Sequence, residues 1–129
     1  MGKRGTITGQ WVRGNENIKC RLPLIEFKEG GNLIIYCPAL DLSGYGATEE
    51  EARESFKTTL SEYFRYTVNK KTLARDLTRL GWTLRANLRK PCIPPSMVHL
   101  LENNEDFSRI FNNHDFRKTA TTVDMPAFA

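Results

Sequence analysis

The feature that most constrains this chain is an abrupt change of pattern at Thr48, where an amphipathic helix begins. Thr48-Glu49-Glu50-Glu51 forms a capping box, in which the threonine hydroxyl accepts a hydrogen bond from the Glu51 amide and Glu51 reaches back to the helix start. The side chains that follow at spacings of three and four share one face: Ala52, Phe56, Leu60, Tyr63, Phe64 and Thr67. We therefore expect a long helix, from Thr48 to about Asn69, that covers a sheet.

The residues before Thr48 have the composition of β-strands. Residues 6–13 and 18–27 are rich in β-branched and aromatic types, and turn-forming residues lie between them, which predicts a hairpin. Pro23 lacks an N–H, so we expect it at a sheet edge, a bulge or a strand start. The apolar run Leu33–Cys37 predicts a central strand, and the glycine-punctuated residues 43–46 predict a third edge strand or a bulged loop.

Beyond the long helix, Thr72 is expected to cap a second, shorter helix that a glycine ends. Residues 82–86 alternate between apolar and polar types, which predicts the last strand of the core. After a proline-rich connector, residues 96–103 predict a short helix, and Asn104 is expected to cap another that ends near residues 112–113.

These patterns together predict an α+β fold. We expect an antiparallel sheet of three to four strands, in the order β-β-β-α-α-β, with one long amphipathic helix and short C-terminal helices. The 129 residues suit one domain with extensions. We divide them into an N-terminal strand extension (1–17), an α+β domain (18–89) and a helical C-terminal appendage (90–129).

Composition excludes several classes of protein. With 40% hydrophobic residues the chain can bury a core, which excludes global disorder. The longest apolar run, Leu33–Cys37, is far too short to cross a bilayer, and the first residues lack the apolar part of a signal peptide. Cys20, Cys37 and Cys92 are odd in number and widely spaced, which favours buried reduced thiols over disulfides. We therefore expect a cytoplasmic protein that does not associate with membranes.

Opposite charges separate along the sequence. Residues 65–90 hold eight basic residues and one acidic residue, whereas four glutamates lie between Glu49 and Glu54. Glu49, Glu50 and Glu54 are the candidate contacts for a basic protein, although glutamates are also favoured in the first turn of any helix. The candidate nucleic-acid contacts are Lys71, Arg75, Arg79, Arg85, Arg89 and Lys90. A solvated helix face is the alternative interpretation of that basic segment.

The segment from Leu33 to Leu60 resembles the signature of HicB-like antitoxins. An apolar strand leads into Cys37-Pro38-x-Leu40, followed by Gly46-Ala47-Thr48 and then by Glu50-Glu51-Ala52, which opens a helix. The later Thr72-Leu73-x-x-Asp76-Leu77-x-x-Leu80-Gly81-Trp82 also resembles proteins of that group. The resemblance covers about residues 18–86. Ala47 departs from it, because the family commonly has an aspartate there.

The resemblance implies a truncated ribonuclease H fold that has lost nuclease activity and neutralises a small basic HicA-type toxin, which cleaves RNA. Many members also repress their own operon through a C-terminal DNA-binding segment. Here residues 96–125 predict helix, helix, strand rather than the strand, helix, helix of a ribbon-helix-helix, so autorepression and DNA binding stay open. The alternative function is a nucleic-acid-binding regulator that uses the segment Arg65–Lys90 without a toxin partner.

We expect no enzymatic activity, no cofactor and no bound metal. Metal-dependent phosphodiester cleavage needs several carboxylates around two metal ions, and the predicted strands offer only Glu26 and Asp41. His99 and His114 have no cysteine pair near them at zinc-ligand spacing. The pair Gly44-x-Gly46 lacks the third glycine of a nucleotide-binding loop and is more typical of a turn.

The tail from Thr119 to Met125 has strand propensity. Together with Phe107 and Phe111, it either packs on its own sheet or extends the sheet of a second copy by strand addition. A homodimer therefore remains an alternative to a monomer.

Overall fold

The computed structural model describes residues 17–84 and 92–126 as an α+β fold, which confirms the predicted fold class. The strands are β1 (Asn17–Glu29), β2 (Asn32–Cys37), β3 (Leu42–Gly46), β4 (Thr83–Leu84), β5 (Cys92–Ile93) and β6 (Phe116–Pro126). The helices are α1 (Glu49–Asn69), α2 (Leu73–Arg79), α3 (Met97–Asn103) and α4 (Glu105–Asn113). No helix within these residues is both long and apolar enough to cross a membrane.

The four longer strands form one antiparallel sheet in the order β3-β2-β1-β6. β2 is an interior strand and β3 lies at an edge, as the sequence predicts. Successive side chains of a strand point to opposite faces. Leu22 and Leu24 of β1 accordingly belong to one core cluster, whereas Ile25 and Phe27 belong to another.

Each face of the sheet carries its own apolar core. On the first face, Phe56 and Phe64 of α1 and Leu77 of α2 are buried against the strands. On the second face, Leu100 of α3 and Phe107 of α4 are buried in the same way. The sheet therefore lies between two helical layers, α1 with α2 on one side and α3 with α4 on the other.

α1 begins as the capping box predicts. The Glu51 N–H donates to the Thr48 hydroxyl at 3.1 Å, and the Glu51 carboxylate accepts from the Ala47 N–H at 3.0 Å, one residue before the expected cap amide. The helix lies very close to β3, since a Cβ on Gly44 would be 2.2 Å from the backbone nitrogen of Phe56. The Gly44-x-Gly46 pair lies within β3 and serves this packing, so its interpretation as a turn is wrong.

α2 is present, but its expected cap is not, because the Thr72 side chain makes no capping hydrogen bond. Leu73 and Leu77 are buried as predicted, and Gly81 follows the helix with a left-handed φ of 103°. Asn104 caps α4 as predicted, and Ser96 caps α3. The hydroxyl of Ser96 and the side-chain oxygen of Asn104 each accept a hydrogen bond from the amide three residues on.

The strand predicted at residues 82–86 is present at Thr83–Leu84 (β4), but it is not a strand of the main sheet. β4 pairs with β5 in a separate two-stranded sheet, and residues 85–91 lie outside the described residues. Trp82 is instead a buried anchor, whose indole N–H donates to the Ala39 carbonyl oxygen at 2.8 Å. The fourth strand of the main sheet is β6, which pairs with β1 over eleven residue pairs.

Residues 92–126 are therefore part of the fold rather than a helical appendage. Their helices cover one face of the sheet, and their strand β6 completes the sheet. Of the two arrangements left open for the tail, the chain packs it on its own sheet. The expected strand at residues 6–13 lies outside the described residues. Pro23 is opposite Ala120, in the part of β1 that pairs with β6 and not with β2.

Candidate functional site

The first half of α1 carries the predicted acidic contacts, which differ in their exposure and in the ion pairs that they form within the chain. Glu50 and Glu54 are exposed and four residues apart, so they lie on the same side of the helix. Lys57 is 3.7 Å from the Glu54 carboxylate, and both side chains are more than two-thirds exposed. Such an exposed pair is weak, because water screens it. Glu50 and Glu54 therefore present a carboxylate pair that a basic partner can approach.

Glu49, in contrast, already has partners within the chain. Its carboxylate lies 2.6 Å from the Arg53 guanidinium and 2.9 Å from that of Arg117 on β6. Arg117 also contacts the buried carboxylate of Glu26 at 2.5 Å, and its hydrogen bond to Glu26 raises the pKa of the guanidinium. Glu49 is thus part of an ion-pair network between α1 and the sheet, so its carboxylate is less available to a partner than those of Glu50 and Glu54.

The predicted basic contacts that the structure describes, Lys71, Arg75 and Arg79, differ in their position and in their partners. Arg75 is exposed on α2, but Lys71 lies in the turn before that helix, with a left-handed φ of 58°, and not on the helix face. Arg79 donates to the Asp76 carboxylate through two nitrogens, at 2.6 and 3.0 Å, and this hydrogen bonding raises its pKa. The remaining candidates, Arg85, Arg89 and Lys90, lie outside the described residues.

An exposed aromatic side chain accompanies this basic region, which sequence reasoning missed. Tyr66 is 62% exposed near the end of α1, and the Lys70 ammonium lies 6.0 Å from the centre of its ring. The signal was present in the sequence, because Tyr66 lies between the residues of the apolar stripe. Together Tyr66, Lys70, Lys71 and Arg75 combine positive charge with one stacking surface.

The two strand carboxylates considered for a nuclease site are not brought together. Glu26 points to the face of the sheet that α1 covers, where Arg117 holds it. Asp41 accepts a hydrogen bond at 2.6 Å from the hydroxyl of Tyr36, whose ring belongs to the core of the opposite face. Among the described residues, no three His, Cys, Asp or Glu side chains are grouped so that they could hold a metal ion.

Asp41 is one of the residues that line a polar cleft between the β2–β3 turn, α2 and the α3–α4 junction. The cleft has a volume of about 470 Å³, and its lining includes Arg79, His99 and Asp106. The Tyr36 hydroxyl donates to Asp41 and accepts from the Asn104 side chain at 2.9 Å. Burial and the bond to Asp41 raise the pKa of Tyr36. The network joins the turn to the α4 cap, which gives it a structural role.

The three cysteines are buried and reduced, as predicted, but they are not isolated from one another. All three belong to the core cluster beneath α1. Interaction with the neighbouring Cys20 thiol, together with burial, raises the pKa of Cys92. Burial alone is the main cause that raises the pKa of Cys37 to about 12. The thiols are therefore protonated core side chains.

Comparisons with known protein families, with curated proteins and with solved structures found no match to this chain. The resemblance to HicB-like antitoxins accordingly rests on the motifs of the sequence. In the structure those motifs have clear packing roles. Cys37, Pro38 and Leu40 are buried in and around the β2–β3 turn, and Gly46 allows α1 to approach β3.

Proposed function

We propose that the protein is a stoichiometric antitoxin of the HicB-like type, which binds a small basic RNA-cleaving toxin through the exposed carboxylates on the first half of α1. The observation that carries this proposal is the pair Glu50 and Glu54, exposed side by side on one helix. The motifs that resemble HicB-like antitoxins support the same function, since they lead directly into this helix.

The helix holds this carboxylate pair in a fixed position. Ala52 and Phe56, on the opposite side of α1, are buried against the sheet, and Gly44 and Gly46 allow close contact with β3. A partner that binds the pair therefore does not have to order a loop first. Less conformational entropy is lost on association when the binding surface is rigid before contact.

Charge complementarity predicts how the complex should respond to salt and to mutation. Exposed charges mainly raise the association rate, because they steer the encounter of opposite surfaces. Reversing both charges, as Glu50→Lys with Glu54→Lys, should slow association by about tenfold or more at low salt, and raised salt should reduce that difference. Glu49 is a poor choice for this test, because its network with Arg117 supports the fold.

The test begins with nuclease-treated lysate of the native host and the tagged protein as bait. A small basic protein captured in equal amount is then expressed alone, and its RNA cleavage is measured with increasing amounts of this chain. Inhibition complete at equimolar protein, weakened by the Glu50→Lys/Glu54→Lys variant, supports the proposal. The control is Glu62→Lys, which reverses an exposed charge further along α1. Failure of the captured protein to cleave RNA, or equal inhibition by both variants, overturns it.

A second candidate function is nucleic-acid binding through the basic region around the α1–α2 junction. The observation that favours it is the exposed Tyr66 beside Lys70, with Lys71 and Arg75 nearby. Anisotropy with labelled single-stranded and duplex oligonucleotides should then show affinity that falls steeply with salt. Lys71→Ala/Arg75→Ala should weaken it, whereas Lys57→Ala on the first half of α1 should not. Equal binding by both variants would argue against this surface.

A further inference from the structure

β6 forms an edge of the sheet along its whole length of eleven residues. Among residues 17–84 and 92–126, no strand pairs with its outer side. α1 packs chiefly against β3 and β2 and has little contact with β6, so the helical layer leaves this edge open. A long edge strand presents a row of backbone donors and acceptors that another strand can pair with.

The sequence of β6 suits such pairing. Its central residues, Thr119–Val123, are uncharged, and four of the five are β-branched types that favour strands. Lys118 and Asp124 flank this centre and point to the same face of the sheet, because they are an even number of residues apart. A charge at each end of an uncharged strand can specify both the orientation and the register of a partner.

The arrangement is self-complementary about Thr121. Two copies of β6 can run antiparallel with Thr121 opposite Thr121. Each residue that precedes Thr121 in one copy is then opposite the residue that follows Thr121 by the same number of positions in the other copy. Lys118 of each copy is then directly opposite Asp124 of the other, at a Cβ separation of about 5 Å. The other pairs oppose Ala120 to Thr122, Thr119 to Val123, Arg117 to Met125 and Phe116 to Pro126, so no like charges oppose each other.

Neighbouring registers lose this match. Centring the pair on Ala120 places Lys118 opposite Thr122, and centring it on Thr122 places Asp124 opposite Ala120, so both ion pairs disappear. A slip of one residue would place Arg117 opposite Asp124, but Arg117 is already held by Glu26 and Glu49, and the α1 face of one sheet would then be continuous with the opposite face of the other. Lys118 and Asp124 therefore favour the register centred on Thr121.

We propose that a second copy of this chain pairs with β6 antiparallel about Thr121, joining two four-stranded sheets into one of eight strands. The twofold axis makes the interface isologous, so each ion pair occurs twice. About ten main-chain hydrogen bonds would form along the paired strands. Lys118 forms no ion pair with the described residues, whereas Asp124 accepts from Lys19 at 2.6 Å and keeps a second carboxylate oxygen for the partner. This inference does not depend on the proposed antitoxin function.

The test uses charge reversal at the two flanking positions. In the Lys118→Glu dimer, the two introduced glutamates are opposite the two Asp124 side chains. In the Asp124→Lys dimer, the two introduced lysines are opposite the two Lys118 side chains. The dissociation constant of the dimer should be about tenfold higher, or more, in each variant than in the original protein. An equimolar mixture of the two variants should recover dimerisation as a heterodimer, because both opposed pairs are then oppositely charged. Sedimentation velocity measures the association, and native mass spectrometry distinguishes the heterodimer from the homodimers.

Lys57→Glu is the matched control, since it makes the same charge change on exposed α1 and should dimerise normally. Far-ultraviolet circular dichroism establishes that each variant is folded. A monomeric original protein at about 100 µM would overturn the proposal, including the case in which the chain's own N-terminal residues occupy the edge. Dimerisation unaffected by either reversal, or not recovered in the mixture, would place the dimer contact elsewhere and overturn it equally.

Discussion

Replacing Phe107 by alanine tests whether the C-terminal helices belong to the same cooperative unit as the rest of the fold. Phe107 is fully buried on α4, in the core on the face of the sheet opposite α1. A fully buried Phe→Ala change removes apolar contacts and leaves a cavity, at a cost of about 3–5 kcal/mol. For a chain of this size, the expected loss corresponds to a melting temperature about 10–20 °C lower.

Phe111 provides the control within the same helix. Its side chain is 39% exposed and contacts the rings of Phe107 and Phe116. Phe111→Ala should therefore cost only about 1–2 kcal/mol, since what it loses is two aromatic contacts made by a partly solvated ring. The two variants make the same substitution in the same helix. The difference between their free energies of unfolding therefore reports how deeply each side chain is buried.

Urea unfolding followed by tryptophan fluorescence is the appropriate assay, because Trp82 lies in the core of the other face. A Trp11→Phe background makes Trp82 the sole reporter. If the fold is one unit, Phe107→Ala shifts the Trp82 transition by the full amount, and it coincides with the circular dichroism transition. An unchanged Trp82 transition, or equal effects of the two alanine variants, would refute the view that α3 and α4 stabilise the whole sheet.

Three other predictions follow from local features. Thr48→Ala should lower the free energy of unfolding by about 1 kcal/mol, because it removes the capping hydrogen bond of α1. Thr72→Ala loses no capping hydrogen bond, so it should change the free energy of unfolding by only a few tenths of a kcal/mol. Urea titration compares the two variants, and equal losses would contradict the capping argument. Gly44→Ala should cost about 2 kcal/mol or more, since its Cβ would overlap the α1 backbone at Phe56, and a melting temperature close to that of the original protein would contradict the close helix contact. Burial raises the pKa of Cys37 from 9.0 to about 12, so its proton is held more tightly in the folded state. The free energy of unfolding should therefore fall as pH rises above about 9, and it should fall less steeply in Cys37→Ala. Unfolding titrations at several pH values measure both slopes, and identical slopes would contradict this prediction.

Several parts of this fold could be predicted because their causes are local. The start of α1 depends on a hydrogen bond between Thr48 and Glu51, and the caps at Ser96 and Asn104 also act over three residues. The strand at Leu33–Cys37 was evident from its apolar run. These features involve neighbours in the chain, so residue type and spacing are enough to specify them.

The candidate sites were less predictable, because charge is altered by partners as well as by residue type. The pairing of Arg79 with Asp76 is local, and the three-residue spacing on a helix could have indicated it. The pairing of Glu49 with Arg117 could not be read in the same way, since 68 residues separate them. The acidic and basic runs therefore contain fewer available charges than their sequences suggest.

The sequence by itself determined the class of fold, the long helix with its cap at Thr48 and the strand before it, because periodicity and capping act within a few residues. Only the tertiary structure decided that β6 pairs with β1, that α3 and α4 cover the second face, and that Cys20 meets Cys92. Residues 82–86 and 119–125 both have strand character, and local pattern does not choose between them. The choice depends on which strand can join the edge of β1 while the intervening helices bury their apolar faces, a condition that the whole chain satisfies at once.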